Sequence, residues 1–445
     1  MTETENIAIL EVENAELRQR ITSLEEKVLL LLELQQKQRV KKDSGNSSLP
    51  PSSDIGQKTR SLREKSERSL GGQKGHRGNT LEMTATPDRI IELKSNFCSR
   101  CGNSVAGANF ILQARRQVLE VPPIVPVWEE YQVFSCTCGN CKHTQSADFP
   151  SNITAPIQYG NSVAALAAYF SVYQYVPFRR LKNLFTEVFN LPLAEGTLVN
   201  LLEKAAVKSE FFYAKIKTEI EVSKVVGSDE TAAKVNGKKW WIWVWQNVRN
   251  TFIAAAESRG SQAIAAEFSE GLPNSVLISD RWAAQLKMAS NGNQLCLAHL
   301  LRDVRYLAEL EKEEFAEEFK QLLVKVFDIR REMTGENEIC ARDKAEELEN
   351  ELNRLLAIPI NRERQPETAK FQRSLIKYRN SVLACLYDLE IPPDNNGSER
   401  AIRNVKVKQK ISGQFKGGQK TFCILRSVID TLVKRRLDVL IQPES

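Results

Sequence analysis

"VSKVVGSDETAAKVNGKKWWIWVWQN", residues 222 to 247, is the stretch whose reading decides the fold. "VSKVVGSDET" is an apolar, β-branched run that ends in Asp229, and "KKWWIWVWQN" is a second strand-like run. Alternation along that second run puts Trp241, Trp243 and Trp245 on one face, the expected core, and turns Trp240 to the other. "TFIAAAESRG" makes a third strand, "GSQAIAAEFSE" a helix, and "SVLISDRW" a further strand that reaches a carboxylate at Asp280. A fifth apolar run, "NQLCLAHL", leads into a long helical stretch. Three consecutive strands followed by alternating helix and strand predict a mixed sheet flanked by helices, a multidomain α/β chain. Asp229 and Asp280 then stand at the tips of the first and fourth strands, side by side if those strands are neighbours.

A third carboxylate comes from "IPPDNNGSERAIRNVKVKQK", residues 391 to 410, where Glu399 opens a helix expected to begin near Asn396. From Arg400 to Lys420 there are seven basic residues and no acidic one. A carboxylate at the lip of so positive a surface fits a division of labour. Arg400, Arg403, Lys406, Lys408 and Lys410 hold the phosphates of a polyanion, and Glu399 joins Asp229 and Asp280 around a metal. A lone Asp at a strand end is ordinarily a turn former or a helix cap, so it is the conjunction of three acids that carries the argument. Oxygen ligands of this hardness select Mg²⁺ or Mn²⁺. Two such ions about 3.5 to 4 Å apart suit in-line phosphoryl transfer.

Outward from this core, 445 residues with 42% hydrophobic and 27% charged residues are enough for several packed cores. No apolar run is long enough to span a bilayer and "MTETENIAIL" lacks a basic leader, so the expected compartment is the cytoplasm, with nucleoid association. The net charge of +6 is concentrated: Lys37 to Arg77 holds eleven Lys or Arg against four acids, as in nucleic-acid binders. Leu10, Leu17, Leu24 and Leu31 alternate with Ile7, Asn14, Ile21, Val28 and Gln35 in a heptad that predicts a parallel two-stranded coiled coil, hence a homodimer or higher assembly. An amphipathic helix folded back on its own chain is the alternative. "KKDSGNSSLPPSSD" and "SLGGQKGHRGNTLE" then read as a flexible basic tether. Cys98 and Cys101 form one C-x-x-C pair and Cys138 and Cys141 another, four thiolates suited to structural Zn²⁺ in a ribbon, with Cys136 or His143 as substitute ligands. "RRQVLEVPPIVPVWEEYQVFSC" between them reads as two strands about a Pro-rich turn. A helix pair across residues 176 to 205 is either a helix-turn-helix offering Thr197 and Asn200 to DNA or plain scaffolding.

Taken together, "NSSLPPSSD", "GGQKGHRGNTLE", the ribbon cysteines, "APIQYGNSVAALAAY", "DETAAKVNGKKWWIWVW" and "PPDNNGSERAIRNVKVKQKISGQF" resemble the DDE transposases of the bacterial insertion-sequence sixty-six family, the TnpC-type proteins. That resemblance implies an RNase H-like fold on which Asp229, Asp280 and Glu399 are the catalytic triad. Cys296 and His299 look like the C-x-x-H element that several DDE families place after the second Asp, with burial as the plainer reading. Residues 306–390 correspond to a helical insertion. The second motif reads "SDRWAAQ" where the commoner form is Asp-Gly-Tyr.

The expected organisation is a coiled coil (1–36), a basic linker (37–90), a zinc ribbon (91–150), a helical DNA-binding segment (151–221), the first part of the core (222–305), the insertion (306–390) and the last part of the core with a tail (391–445). The expected activity is cleavage at the element's terminal inverted repeats and strand transfer into target DNA, with accessory proteins of the same element as further partners. An RNase H-like nuclease or resolvase, or a domesticated non-catalytic zinc-ribbon DNA-binding protein, are the alternatives.

Overall fold

The computed structural model describes residues 14–29, 80–311, 314–333 and 338–440, with a few single positions before residue 80. A five-stranded mixed sheet forms its centre, built from β3 (Val225–Val235), β4 (Lys238–Gln246), β5 (Thr251–Ala256), β6 (Val276–Ser279) and β7 (Asn293–Leu295); β1 and β2 belong to a small hairpin described below. The strand order is β5-β4-β3-β6-β7. β3, β4 and β5 run antiparallel to their neighbours, whereas β6 pairs parallel with β3 and β7 parallel with β6. The β3–β4 turn is Asn236-Gly237, with φ of 48° and 79°, the backbone a tight two-residue hairpin needs.

That hairpin corrects one expectation. β3 does not stop at Asp229 but runs six residues further, since pairing with β4 continues to Val235↔Lys238. What ends near Asp229 is the parallel ladder to β6, whose last pair on β3 is Gly227↔Ile278.

Both faces of the sheet are covered. On one, Ala233, Val235, Ile242 and Val244 pack with Leu198 and Leu202 of α4 (Glu195–Glu221), Ala401 and Val405 of α11 (Asn396–Ser412), and Phe422 and Leu425 of α12 (Gln419–Lys434). On the other, Val226, Trp243, Trp245 and Phe252 pack with Ile216 and Ile220 of α4 and Ile264 of α5 (Ser261–Glu267). Trp243 and Trp245 are fully buried and stacked at 5.7 Å between ring centroids. Trp240 is partly buried against the first core, so packing accounts for it. α2 (Asn161–Ala168), a π-helical turn (Tyr169–Tyr173) and α3 (Phe178–Val188) complete that layer. α4 packs along α12 and β5, so it is scaffold for most of its length, with Thr197 half-buried and Asn200 exposed at its start.

The short helix α6 (Ala283–Leu286) follows β6, and a separate helical block, α7 (Leu297–Glu311), α8 (Glu314–Glu332), α9 (Glu338–Ala357) and α10 (Pro366–Lys377), has its own core around Leu300, Phe319, Leu352 and Leu375. The chain enters and leaves this block at one point, where Leu297 N–H donates to Pro393 O at 2.9 Å.

Toward the N-terminus, residues 14–29 form a helix, α1, with Leu17, Ile21, Leu24 and Val28 all exposed. Ile7, Leu10, Leu31 and Gln35 of the heptad, and most of the basic tether, lie outside the described residues. Between the two C-x-x-C pairs no strand forms over 108–134; the hairpin is instead β1 (Ser135–Thr137) with β2 (Thr144–Ser146), flanking the second pair. Pro122, Pro123 and Pro126 have no N–H to give a ladder. Among the described residues no helix is long and apolar enough to cross a membrane.

Candidate functional site

The site grows out of the β3–β6 register. Gly227 faces Ile278, and two residues further along each parallel strand brings Asp229 level with Asp280, just beyond β6. Asp229 keeps part of its surface accessible, but desolvation together with the nearby Asp280 and Glu230 carboxylates holds its pKa well above the ordinary 3.8. A carboxylate so placed is costly without a cation or a proton.

Glu399 reaches the same place because the turn before α11 is fastened to β3. Asn395 donates from Nδ2 to Ser228 O at 2.7 Å and from its backbone N–H to Cys296 Sγ at 3.2 Å. Gly227 makes room for this: a Cβ there would lie 2.6 Å from Gln246 Nε2 and 2.8 Å from both Asn395 Oδ1 and Ser398 Oγ. Gly397 is equally tight, 2.4 Å from Gln246 Nε2, and Gln246 is in turn held by Lys434 Nζ at 2.7 Å. The small residues of "DNNGSER" therefore fix the first turn of α11, and with it Glu399, against the sheet.

Two side chains one turn apart on α7 link the acids. His299 Nδ1 lies 2.8 Å from Asp280 Oδ1 and 3.7 Å from Glu399 Oε1. Arg302 is 3.0 Å from His299 Nε2 through Nη1 and 3.3 Å from Glu399 Oε1 through Nη2. Burial works against a second proton on the ring, but Asp280 and Cys296 outweigh it and raise the His299 pKa to about 11, toward the protonated ring. Arg302 argues the other way, because a guanidinium only donates, so its 3.0 Å contact is a hydrogen bond only if Nε2 accepts. With that bond made, the ring is neutral and its proton is on Nδ1, facing Asp280. The short Nδ1–Oδ1 approach is not an aligned hydrogen bond, and both atoms are buried without such a partner.

The sequence-derived residues divide as follows. Asp280 and Glu399 both approach His299, and Asp229 lies near enough to Asp280 for their charges to interact, but the three carboxylates do not fall within 4.8 Å of one another. Cys296 is buried behind them, and among the described residues Asp280, Cys296 and His299 are the one group of three potential metal ligands within 4.8 Å of one another. On α11, Arg403, Lys406 and Lys410 follow Glu399 at helical spacing and share its face. Arg400, Arg403 and Lys410 are exposed. Lys406 is turned inward, donating to Ala232 O at 3.1 Å beside Gln409 at 3.2 Å, and burial lowers its pKa. Lys408 is roughly 180° around the helix from Glu399, half-covered over the Phe178 ring at 5.8 Å.

Cys98, Cys101, Cys138 and Cys141 are not gathered within reach of one ion, yet each pair forms the same turn. Gly102 N–H donates to Cys98 O and Lys142 N–H to Cys138 O, each at 2.9 Å, and Gly102 and Lys142 both have positive φ, 74° and 60°. The N–H groups of Cys101 and Arg100 hold the Cys98 thiol below its usual pKa, and those of Cys141 and Asn140 do so for Cys138.

Comparison with known proteins bears on this arrangement. A family described as Transposase IS66 family matches residues 156–420, which spans the sheet, the helical block and α11. The chain belongs to that family. Residues 2–82 match a family of unknown function (DUF6444). The chain is also similar to the uncharacterized protein y4jD of Sinorhizobium fredii (strain NBRC 101917 / NGR234), 25% identical over 390 residues that cover 79% of this chain and 74% of that protein.

In this transposase several site residues have no signal in the strand pattern. Glu230, nearly buried, pairs with Arg259 at 2.7 Å and accepts from Gln285 Nε2 at 3.1 Å. Arg259 lies over Trp282 at 3.8 Å and Trp241 at 4.8 Å, and Trp282 Nε1 donates to Arg259 O at 3.2 Å. This stack ties the loop carrying Asp280 to the far side of β3, and gives the "SDRW" motif a packing reason for its Trp. Arg302 was findable, since it falls one turn after His299 on the same helix face.

Proposed function

We propose that this transposase is a metal-dependent DDE enzyme with an RNase H-like core, in which Asp229, Asp280 and Glu399 hold two divalent cations, Mg²⁺ or Mn²⁺. The observation that carries this is the parallel β3–β6 register, which aligns Asp229 with Asp280 while α11 brings Glu399 to the His299 side of Asp280. The sheet order, three antiparallel strands followed by two parallel ones on the other side of β3, supports the RNase H-like assignment.

The residues fit the cations. Asp229 is half-buried with a raised pKa and two neighbouring carboxylates, and Asp280 Oδ1 has no aligned hydrogen-bond donor, so both offer oxygens that a cation would satisfy, while Glu399 is paired with Arg302. All three candidate ligands are hard oxygens, the donor type these ions take. Cations bound there supply Lewis-acid activation of the attacking oxygen and charge stabilisation at the leaving one. The chain's own share is positioning: the Glu230–Arg259–Trp282 stack fixes the Asp280 loop, and Asn395 fixes Glu399. Exposed Arg400, Arg403 and Lys410 hold DNA phosphates beside the acids. Water attacks first at the element's ends, and the freed 3′-hydroxyl then attacks target DNA. A structural zinc on Cys98, Cys101, Cys138 and Cys141 belongs to the same reading, supported by the two matching turns, and requires the two knuckles to close on one another.

Glu399→Gln tests the assignment, since it removes a charge and nearly keeps the shape. The folded variant is expected to bind cognate ends with unchanged affinity while Mg²⁺-dependent cleavage falls by about 10²–10³-fold. Cleavage at the wild-type rate would exclude Glu399 as a ligand, and cleavage without joining in the wild type would reduce the enzyme to a nuclease.

A further inference from the structure

We infer that Arg302 neutralises Glu399 while the site lacks metal and, once metal claims that carboxylate, turns one arm of its guanidinium to a phosphate of the DNA strand being cut. The inference rests on the reading of Glu399 as a metal ligand. Its starting point is a pairing that the three-acid scheme does not require. Beside His299, one guanidinium is placed directly on the Glu399 oxygen, 3.3 Å away, and that side chain is only 17% exposed. A partly buried cation on a carboxylate is a competitor for any other cation that takes the same oxygen.

Arg302 is also held by a second partner. Nη1 donates to His299 Nε2 at 3.0 Å, so losing Glu399 releases Nη2 alone and leaves the group anchored at the site. His299 lies against Asp280 and sits one turn earlier on α7, so this second partner is carried by the same helix as Arg302. A guanidinium with one arm anchored and the other freed presents planar donors suited to a phosphate oxygen, and an arginine is better matched to that than a lysine. Arg259 is engaged with Glu230 and two indoles, Arg281 with Asp303 and Lys406 with Ala232 O, whereas Arg400 and Arg403 stand exposed on α11.

The two roles pull a substitution in opposite directions, which a merely structural arginine does not do. In Arg302→Gln, Mn²⁺ titrated calorimetrically into DNA-free protein is expected to bind about tenfold tighter, because the competing cation is gone. The same variant, at saturating Mg²⁺ with cognate-end DNA in single turnover, is expected to cleave about a hundredfold more slowly. Arg302→Lys keeps the charge but not the fork; it should keep wild-type Mn²⁺ affinity and recover little of the cleavage rate. Mn²⁺ affinity unchanged or weakened in folded Arg302→Gln, or cleavage at the wild-type rate, overturns the inference. Asp229→Asn is measured alongside. If it loses Mn²⁺ while Arg302→Gln behaves as wild type, only the role of Arg302 fails; if it too binds Mn²⁺ normally, the carboxylate site itself has failed.

Discussion

Asp229 illustrates how one residue can be poorly placed for stability and well placed for chemistry. Its raised pKa means that folded protein without metal keeps a proton that the unfolded chain gives up above about its ordinary 3.8. Between that value and the folded pKa, stability therefore falls as pH rises, and above the folded pKa the whole penalty of a desolvated charge is present. Asp229→Asn removes the charge from both states. The variant is expected to be more stable than metal-free wild type at neutral pH, by roughly 1–3 kcal/mol, and its melting temperature should lose this pH dependence. Mn²⁺ should stabilise wild type and not the variant, and cleavage should collapse. Thermal melts across pH with and without Mn²⁺ check all of this; a variant less stable than wild type under every condition would mean that Asp229 serves the fold. Asp280 and Glu399 were singled out because each stands at the end or start of an element, whereas Asp229 was singled out as a strand end and lies within β3 instead. Glu230 and Arg259 were not legible, because a charge on a strand or in a loop reads as solvated surface until the fold supplies its partner, and Arg302 was findable only from its spacing to His299.

At the scale of elements, the site depends on α11 lying hard against β3, and the glycines there set the distance. A methyl group on Gly227 would meet three side chains at once, Gln246, Asn395 and Ser398, of which Asn395 is the residue that ties α11 to Ser228 O. Gly227→Ala is therefore expected to cost about 1–3 kcal/mol and to weaken Mn²⁺ binding by displacing Glu399, although no ligand has been changed. Denaturant melts and Mn²⁺ calorimetry measure the two effects; full Mn²⁺ affinity in the folded variant would show that α11 has slack. Sequence reasoning located α11, its start and its basic face, but treated the face as uniform. Lys406 is drawn onto Ala232 O and Lys408 onto the Phe178 side, because a helix packed on a sheet leaves only part of its circumference to solvent. The first strand was likewise cut short at Asp229: "TAAKV" alternates weakly, and only the Asn236-Gly237 turn with the Trp-rich partner makes it strand. The pairing of "VLEV" with "YQVF" was anticipated and does not form, the intervening prolines having no donors for a ladder.

For the whole molecule, the N-terminal helix is the part that bears on assembly. Residues 14–29 of the N-terminal segment are helical. Leu17, Ile21, Leu24 and Val28 recur with heptad spacing and are each more than half exposed, so among the described residues their apolar seam is uncovered. A helix with an uncovered apolar seam is stabilised by pairing its seam, and Leu alternating with mostly β-branched residues favours two parallel strands with Asn14 fixing their register. Such a pairing also suits a transposase that must act on two DNA ends, since joining two copies raises the effective concentration of the second end-binding unit. Deleting residues 7–35 is therefore expected to halve the mass seen by light scattering and to weaken capture of two cognate ends together, while binding of one end is little changed. Leu17→Lys with Leu24→Lys should do the same without shortening the chain, because two charges enter the seam of each partner. An unchanged mass in both variants would place the self-association elsewhere, and would leave α1 to cover some other apolar surface of its own chain.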